Sequence, residues 1–208
     1  MDNPQKAEAI PENKTGKFVD ESHFVTEHST EEAIVTYNRS CARLLNPPLW
    51  QQLTPGITTS FKISTPDNSD PRRLLLVNDY LMIDIPGPGP AAGNGYDWVK
   101  VETIEENSVP GVDDSMAMRL RACSNPNTED EAIAHFFDAE ATSTFIIQRK
   151  ENTVTVSYHG RNEVPNTSNV ALADKLRNTM VALGAKAGFS ELFWKALVKG
   201  LLQKAIGA

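Results

Sequence analysis

The stretch Thr142–Arg161, TSTFIIQRKENTVTVSYHGR, limits what this chain can fold into more than any other segment. Two runs rich in Thr, Val, Ile, Phe and Tyr flank the polar Lys150-Glu151-Asn152, the composition and spacing of two strands joined by a tight turn. Pairing Arg149 with Val154 sets Ile147 opposite Val156 and Phe145 opposite Tyr158. The large apolar groups then share one face, because successive side chains alternate across a strand. Thr144, Gln148, Thr155, Ser157 and His159 take the other face, with Ile146 as its one large apolar member. A slip by one residue would send Phe145 and Ile147 to solvent, so the register is well determined.

The rest of the chain reads around this hairpin. Residues 1–20 are polar, Pro-containing and without period, and are expected to form a flexible N-terminal arm. Ser29-Thr30-Glu31-Glu32 fits a capping box, and Ile34, Tyr37, Cys41, Leu44 and Leu45 follow at helical spacing, which predicts a helix over Thr30–Leu45 ended by Asn46-Pro47-Pro48. Alternation predicts strands over Ile57–Thr65, Tyr96–Ile104 and Met116–Cys123. Arg73–Ile85 reads as a strand pair or a bent strand broken at Asn78-Asp79. Pro86–Gly95, PGPGPAAGNG, must be a loop, and Thr128 is placed to cap a short helix over Glu129–Phe137.

Two helices are expected at the C-terminal end. Leu172, Leu176, Met180 and Leu183 mark the first; Ser190 caps the second, with Phe189 and Trp194 as a staple and a stripe of Leu192, Phe193, Ala196, Leu197, Gly200 and Leu201. Strands do not alternate regularly with helices. The expected class is therefore α+β: a largely antiparallel sheet of about six to seven strands, with an N-terminal helix and two C-terminal helices packed on it, in one domain over residues 21–208.

A formal net charge of -7 opposes nonspecific attraction to nucleic acid or an anionic membrane. No run approaches the roughly 18 apolar residues that span a bilayer, and the N-terminal residues lack an apolar signal region. The expected address is the cytoplasm. Cys41 and Cys123 sit in no CxxC or Cys/His spacing and read as free thiols.

Three clusters offer chemistry. His159, Arg161 and Glu163 form the densest reactive group: a histidine moves protons near neutral pH, an arginine holds a carboxylate or phosphate, and a glutamate orients the histidine or ligates a metal. A solvated Arg–Glu pair beside a strand-ending Gly160 is the plainer account. His135 and Asp138, three apart on the expected short helix, are candidate metal ligands, against the alternative of a partly buried histidine beside Phe136-Phe137. Asn94, Tyr96 and Trp98 flank the Gly/Pro loop and are candidate binding residues, since long irregular loops are often functional. The glycines of that loop do not open a helix, so no nucleotide or other cofactor is expected there.

The sequence carries no assembled catalytic signature. The expectation is a binding or assembly protein, with a protein partner or self-association. One alternative is a small hydrolase or metal-assisted enzyme built on His159, Arg161 and Glu163. The other is a small apolar-ligand or lipid-binding domain, which needs a continuous cavity between the sheet and the terminal helices. The last helix, apolar on several sides, is expected to pack on the core rather than touch a membrane peripherally.

Overall fold

The computed structural model describes residues 9–65, 73–86, 89–109, 113–167, 188 and 190–204. Among the described residues there are seven strands: β1 Lys17–Thr26, β2 Ser60–Ser64, β3 Tyr80–Asp84, β4 Asp97–Val109, β5 Asp113–Ala122, β6 Thr142–Lys150 and β7 Thr153–Glu163. They form one sheet in the order β1-β7-β6-β5-β4-β3-β2, antiparallel at every junction. Helix α1 (Thr30–Leu44) and the short α2 (Trp50–Leu53) follow β1, and α3 spans residues 190–201. The fold is α+β, as the sequence predicts. Among the described residues no helix is long and apolar enough to cross a membrane.

The hairpin has the expected register, with Phe145 opposite Tyr158, Ile147 opposite Val156 and Arg149 opposite Val154. Its loop is the two-residue Glu151-Asn152, and Glu151 takes a left-handed φ of 52°. Ser29 caps α1 by accepting the Glu32 amide on its Oγ at 3.2 Å. The helix buries Ala33, Cys41 and Leu44.

Aromatic rings form the centre of the core. Fully buried Trp50 lies 4.9 Å from Phe61, 6.0 Å from Phe145 and 6.0 Å from Trp194, centroid to centroid. Trp194 in turn stacks on Tyr158 at 5.4 Å and meets Phe145 edge-on at 5.3 Å. Phe193 covers Phe61 at 5.0 Å. The buried side of α3 is therefore Phe193, Trp194, Leu197, Val198, Leu201 and Leu202. Leu192, expected in the apolar stripe, is instead 63% exposed, because the helix is rotated to set Trp194 against the sheet. Lys195 and Lys204 reach back to Glu21 at 3.7 Å and Glu27 at 2.9 Å, and Lys17 reaches Glu191 at 2.5 Å, so charges tie α3 to the β1 edge. The C-terminal carbonyls of α3 receive the Arg43 guanidinium, at 3.3 Å for Leu201 and 2.5 Å for Gln203.

Three expectations about the elements meet a different outcome, and a fourth falls outside the described residues. Strand β1 begins at Lys17, inside the stretch read as an arm, and no strand was expected before Ile57. It is an edge strand whose two faces both mix polar and apolar residues, so it lacks the alternation that reveals a strand. Residues 129–137 are not a helix but turns and bridges, Ser124 to Ile133 and Phe137 to Pro165. Their amides have better partners than a short, weakly nucleated helix supplies: buried Asp97 accepts from Phe136 at 2.8 Å, and Ala134 donates to Cys123 at 2.9 Å. Of Arg73–Ile85, only Tyr80–Asp84 is strand; Asp79 bends the preceding residues by accepting both Arg73 nitrogens at 2.7 Å and the Leu76 amide at 2.8 Å. The helix expected around Leu172–Leu183 lies outside the described residues, as does Phe189.

Gly200 sits where α3 crosses α2, and a Cβ there would overlap the Leu53 carbonyl. Alanine is normally the better helix former by about 1 kcal/mol. Here Gly200→Ala is expected to lower the thermal midpoint; a rise would show that α3 can back away from Leu53 without loss.

Candidate functional site

Where the aromatic cluster ends, the sheet and the N-terminal half of α3 leave a void. Thr59 and Phe61 of the β2 edge, Ile83 and Ile85 of the β3 edge, Val99 of β4, Leu120 of β5 and Ser143 of β6 form its floor. The segment His135–Phe137 closes one side, and Ser190, Phe193 and Trp194 of α3 lie over it. Its enclosed volume is about 40 Å³, and it opens to solvent at its mouth. The lining is mostly apolar, because strand alternation brings every second residue of β3, β4 and β5 to this face.

Polar groups stand at its margin. Ser143 Oγ lies 3.1 Å from the Tyr158 hydroxyl, and Tyr158 donates onward to Glu163 Oε1 at 3.4 Å. Glu163 reaches this face through a bulge. The pairing of β7 with β1 slips between Val19–Gly160 and Lys17–Glu163, and Asn162 takes a φ of 55°. Gly160 makes the room, since a Cβ there would overlap the Glu163 carboxylate. Burial pushes the Glu163 carboxyl up to about 7, against the opposing pull of Lys17, and burial likewise raises the Tyr158 phenol. His135, 8% exposed, stacks on Phe136 at 4.4 Å, and its Nδ1 accepts the Phe137 amide at 2.9 Å. Thr59, 3% exposed, has an Oγ1 with no hydrogen-bond partner.

The densest reactive cluster of the sequence is divided by the sheet. His159 and Arg161 lie on the face opposite the void and both meet Asp20 Oδ1, at 2.5 Å from Nδ1 and 2.8 Å from Nη2. Glu163 lies on the other face. Burial raises the Asp20 carboxyl, but the hydrogen bonds from His159 and Arg161 outweigh it and hold the group below its ordinary value. An ionised Asp20 is acceptor-only, so His159 Nδ1 donates to it. The other ring nitrogen, Nε2, is 3.0 Å from Ser157 Oγ.

Asp20, His159 and Ser157 are thus in the order of a nucleophile relay, without its surroundings. Ser157 is 3% exposed, and β7 is paired on both sides, which commits the amides beside Ser157 to the ladders rather than to an oxyanion. The chain fastens β1 to β7. Residues 9–15 cross the same face: Ala9 accepts from Arg119 at 3.2 Å, and Lys14 donates to Asn162 at 2.7 Å.

The remaining candidates are dispersed. Trp98 is buried and donates to Gly93 of its own loop at 3.3 Å, while Asn94 is exposed and Tyr96 half-buried. Asp138 accepts the Glu140 amide at 3.1 Å in a turn, away from any helix with His135. Among the described residues no three His, Cys, Asp or Glu side chains gather as metal ligands. Cys41 and Cys123 are free, with thiols pushed up to about 12 by burial.

No protein-family model matches the chain, and no curated protein does. Solved structures match at low identity. A protein from Arthrobacter aurescens is 13% identical over 86% of each chain, with a TM-score of 0.38. A putative uncharacterized protein from Bacillus thuringiensis is 16% identical over 90% of this chain and 100% of its own, at 0.39. Ara h 8.0201 is 12% identical over 87% of this chain and 99% of its own, at 0.32. At such scores the matches carry nothing about side-chain chemistry.

Glu163 makes stability depend on pH in a definite direction. Between its ordinary 4.5 and about 7, the folded chain keeps a proton that the unfolded chain releases, so its contribution falls as pH rises through that window. The loss amounts to about 3 kcal/mol. Glu163→Gln should match the parent below the window and exceed it above, by on the order of 3 kcal/mol in urea unfolding. A gap that does not change with pH would mean that Glu163 titrates alike in both states.

Proposed function

We propose that this chain is a binding protein that takes a small, largely apolar molecule between its sheet and α3. The supporting observation is the void itself, an apolar space of about 40 Å³ that opens to solvent between the sheet and α3. Apolar walls with a few polar groups at the margin are the usual composition of such sites. Transfer of an apolar body from water onto Phe61, Ile83, Ile85, Leu120 and Phe193 is favoured at about 25 cal/mol per Å² buried.

The hydrolase reading finds less support. It needs His159, Arg161 and Glu163 in one pocket, and they stand on two faces of the sheet.

Naphthalene is a suitable neutral probe. A ligand that binds only the folded chain raises its melting temperature in proportion to the logarithm of concentration. The parent is expected to show that rise. Ile85→Phe, which adds a ring to the cavity wall, should abolish it while the variant still unfolds cooperatively. An equal rise in both proteins would put the probe elsewhere.

A further inference from the structure

We infer that the face of the sheet opposite the void is a docking site for an extended peptide, read through its main chain by Asn162, and that residues 9–15 are the occupant the chain itself supplies. Asn162 stands in the β7 bulge, is 7% exposed, and commits its whole side-chain amide to this segment. Its Oδ1 accepts the Lys14 amide at 2.7 Å and the Thr15 amide at 3.2 Å, and its Nδ2 donates to the Glu12 carbonyl at 3.2 Å. An amide side chain both accepts and donates, so it reads the N–H and the C=O groups of a peptide main chain together. Two further contacts extend the site. The Asn162 main-chain N–H donates to Asn13 Oδ1 at 2.8 Å, and Arg119 of β5 donates to the Ala9 carbonyl at 3.2 Å.

These contacts differ in kind from those that hold the core. Within residues 9–15 only Ala9 is buried, while Glu12, Lys14 and Thr15 are exposed, so polar contacts fasten the segment and little apolar area does. Segments with few buried apolar contacts open locally at a free energy well below that of global unfolding. Opening leaves β1 in place, because that strand has its own ladder to β7 from Lys17 to Thr26. Gly16, at a φ of 67°, joins the two as a hinge. Once the segment lifts, the Asn162 amide is uncovered, and a separate peptide with the same groups competes for it. The tethered and the free occupant differ only in effective concentration.

The chemistry of the partner follows from what the site reads. It presents a carbonyl, then an asparagine, then two free amides in succession. A small residue stands four positions before the asparagine, where Ala9 is buried. Proline is excluded at either position after the asparagine, since it has no N–H to give. Charge is not selected, because the Glu12 and Lys14 side chains face solvent.

The test is fluorescence anisotropy of a labelled peptide of residues 9–15, AIPENKT, titrated with full-length proteins. Lys14→Pro removes one amide from the tethered segment and leaves Asn162 intact. This variant should bind the peptide on the order of tenfold more tightly than the parent, whose own segment competes at the effective concentration of a short tether. Adding Asn162→Gly, which suits the left-handed φ and deletes the side chain, should weaken the peptide by on the order of tenfold or more. A peptide with alanine in place of the asparagine tests the site without altering the protein, and should bind Lys14→Pro more weakly than AIPENKT does. Hydrogen exchange of residues 9–16 should quicken in Lys14→Pro while β1 and β7 stay protected. The proposal is overturned by unchanged exchange of residues 9–16, by binding to Lys14→Pro no tighter than to the parent, or by an affinity that survives either Asn162→Gly or the alanine peptide.

Discussion

The contact of Trp194 with Tyr158, Phe145 and Trp50 is the interaction on which the other features depend. It joins three parts of the chain that are remote in sequence: the α2 turn, the central hairpin and α3. Each buried large side chain contributes about 1.5–3 kcal/mol, and a well-placed aromatic pair about 0.5–1.5 kcal/mol more. A few such terms are comparable to the whole stability of a typical domain, about 5–15 kcal/mol. Rotating α3 to seat Trp194 is what exposes Leu192, brings Gly200 against Leu53 and sets Lys195 and Lys204 over the β1 edge. The ion pairs follow from the packing; exposed pairs of this kind are worth too little to position a helix.

The two faces of the sheet solve different problems. One is filled by rings and aliphatic chains except at the void. The other carries hydroxyls and charges, yet Thr144, Ser157 and His159 are buried there at 0%, 3% and 6% exposure. Burying them is tolerable for the histidine and serine because Asp20 completes their bonds. This gives β1 a reason to stay on an edge where its own apolar residues, Phe18 and Phe24, remain exposed. Backbone pairing and one carboxylate hold it, rather than a hydrophobic stripe.

That distinction explains what could be read from residues alone. The hairpin and α1 were legible because their signals are local: alternation fixes one, a Ser29 cap and helical spacing the other. β1 was illegible because its fastening is a pairing with residues about 140 positions away, Asp20 to His159. Residues 129–137 have helical composition, and the Asp97 carboxylate, the Cys123 carbonyl and the side chains of Asp130 and His135 redirect their amides. The site divides the same way. His159 and Arg161 were recognised as reactive and do meet, but the bulge at Asn162 that sends Glu163 to the other face has no sequence signal beyond an Asn two residues after a Gly. Thr59 falls within the run Ile57–Thr65 read as a strand, and nothing local marks its hydroxyl as unpaired.

Beside the void stands a second imperfection, the buried Thr59 hydroxyl without a hydrogen-bond partner. At about 24 cal/mol per Å³, a space of 40 Å³ costs about 1 kcal/mol. An unpaired buried hydroxyl costs about 1–3 kcal/mol more. Either defect alone is ordinary in a folded domain. Together, in one wall, they could be removed by a single larger apolar residue at Thr59, and the neighbouring core at Trp50, Leu53 and Leu81 shows that this chain packs to full burial elsewhere. On the function proposed above, an apolar occupant fills that space, and the stability surrendered by the empty state becomes affinity in the filled one.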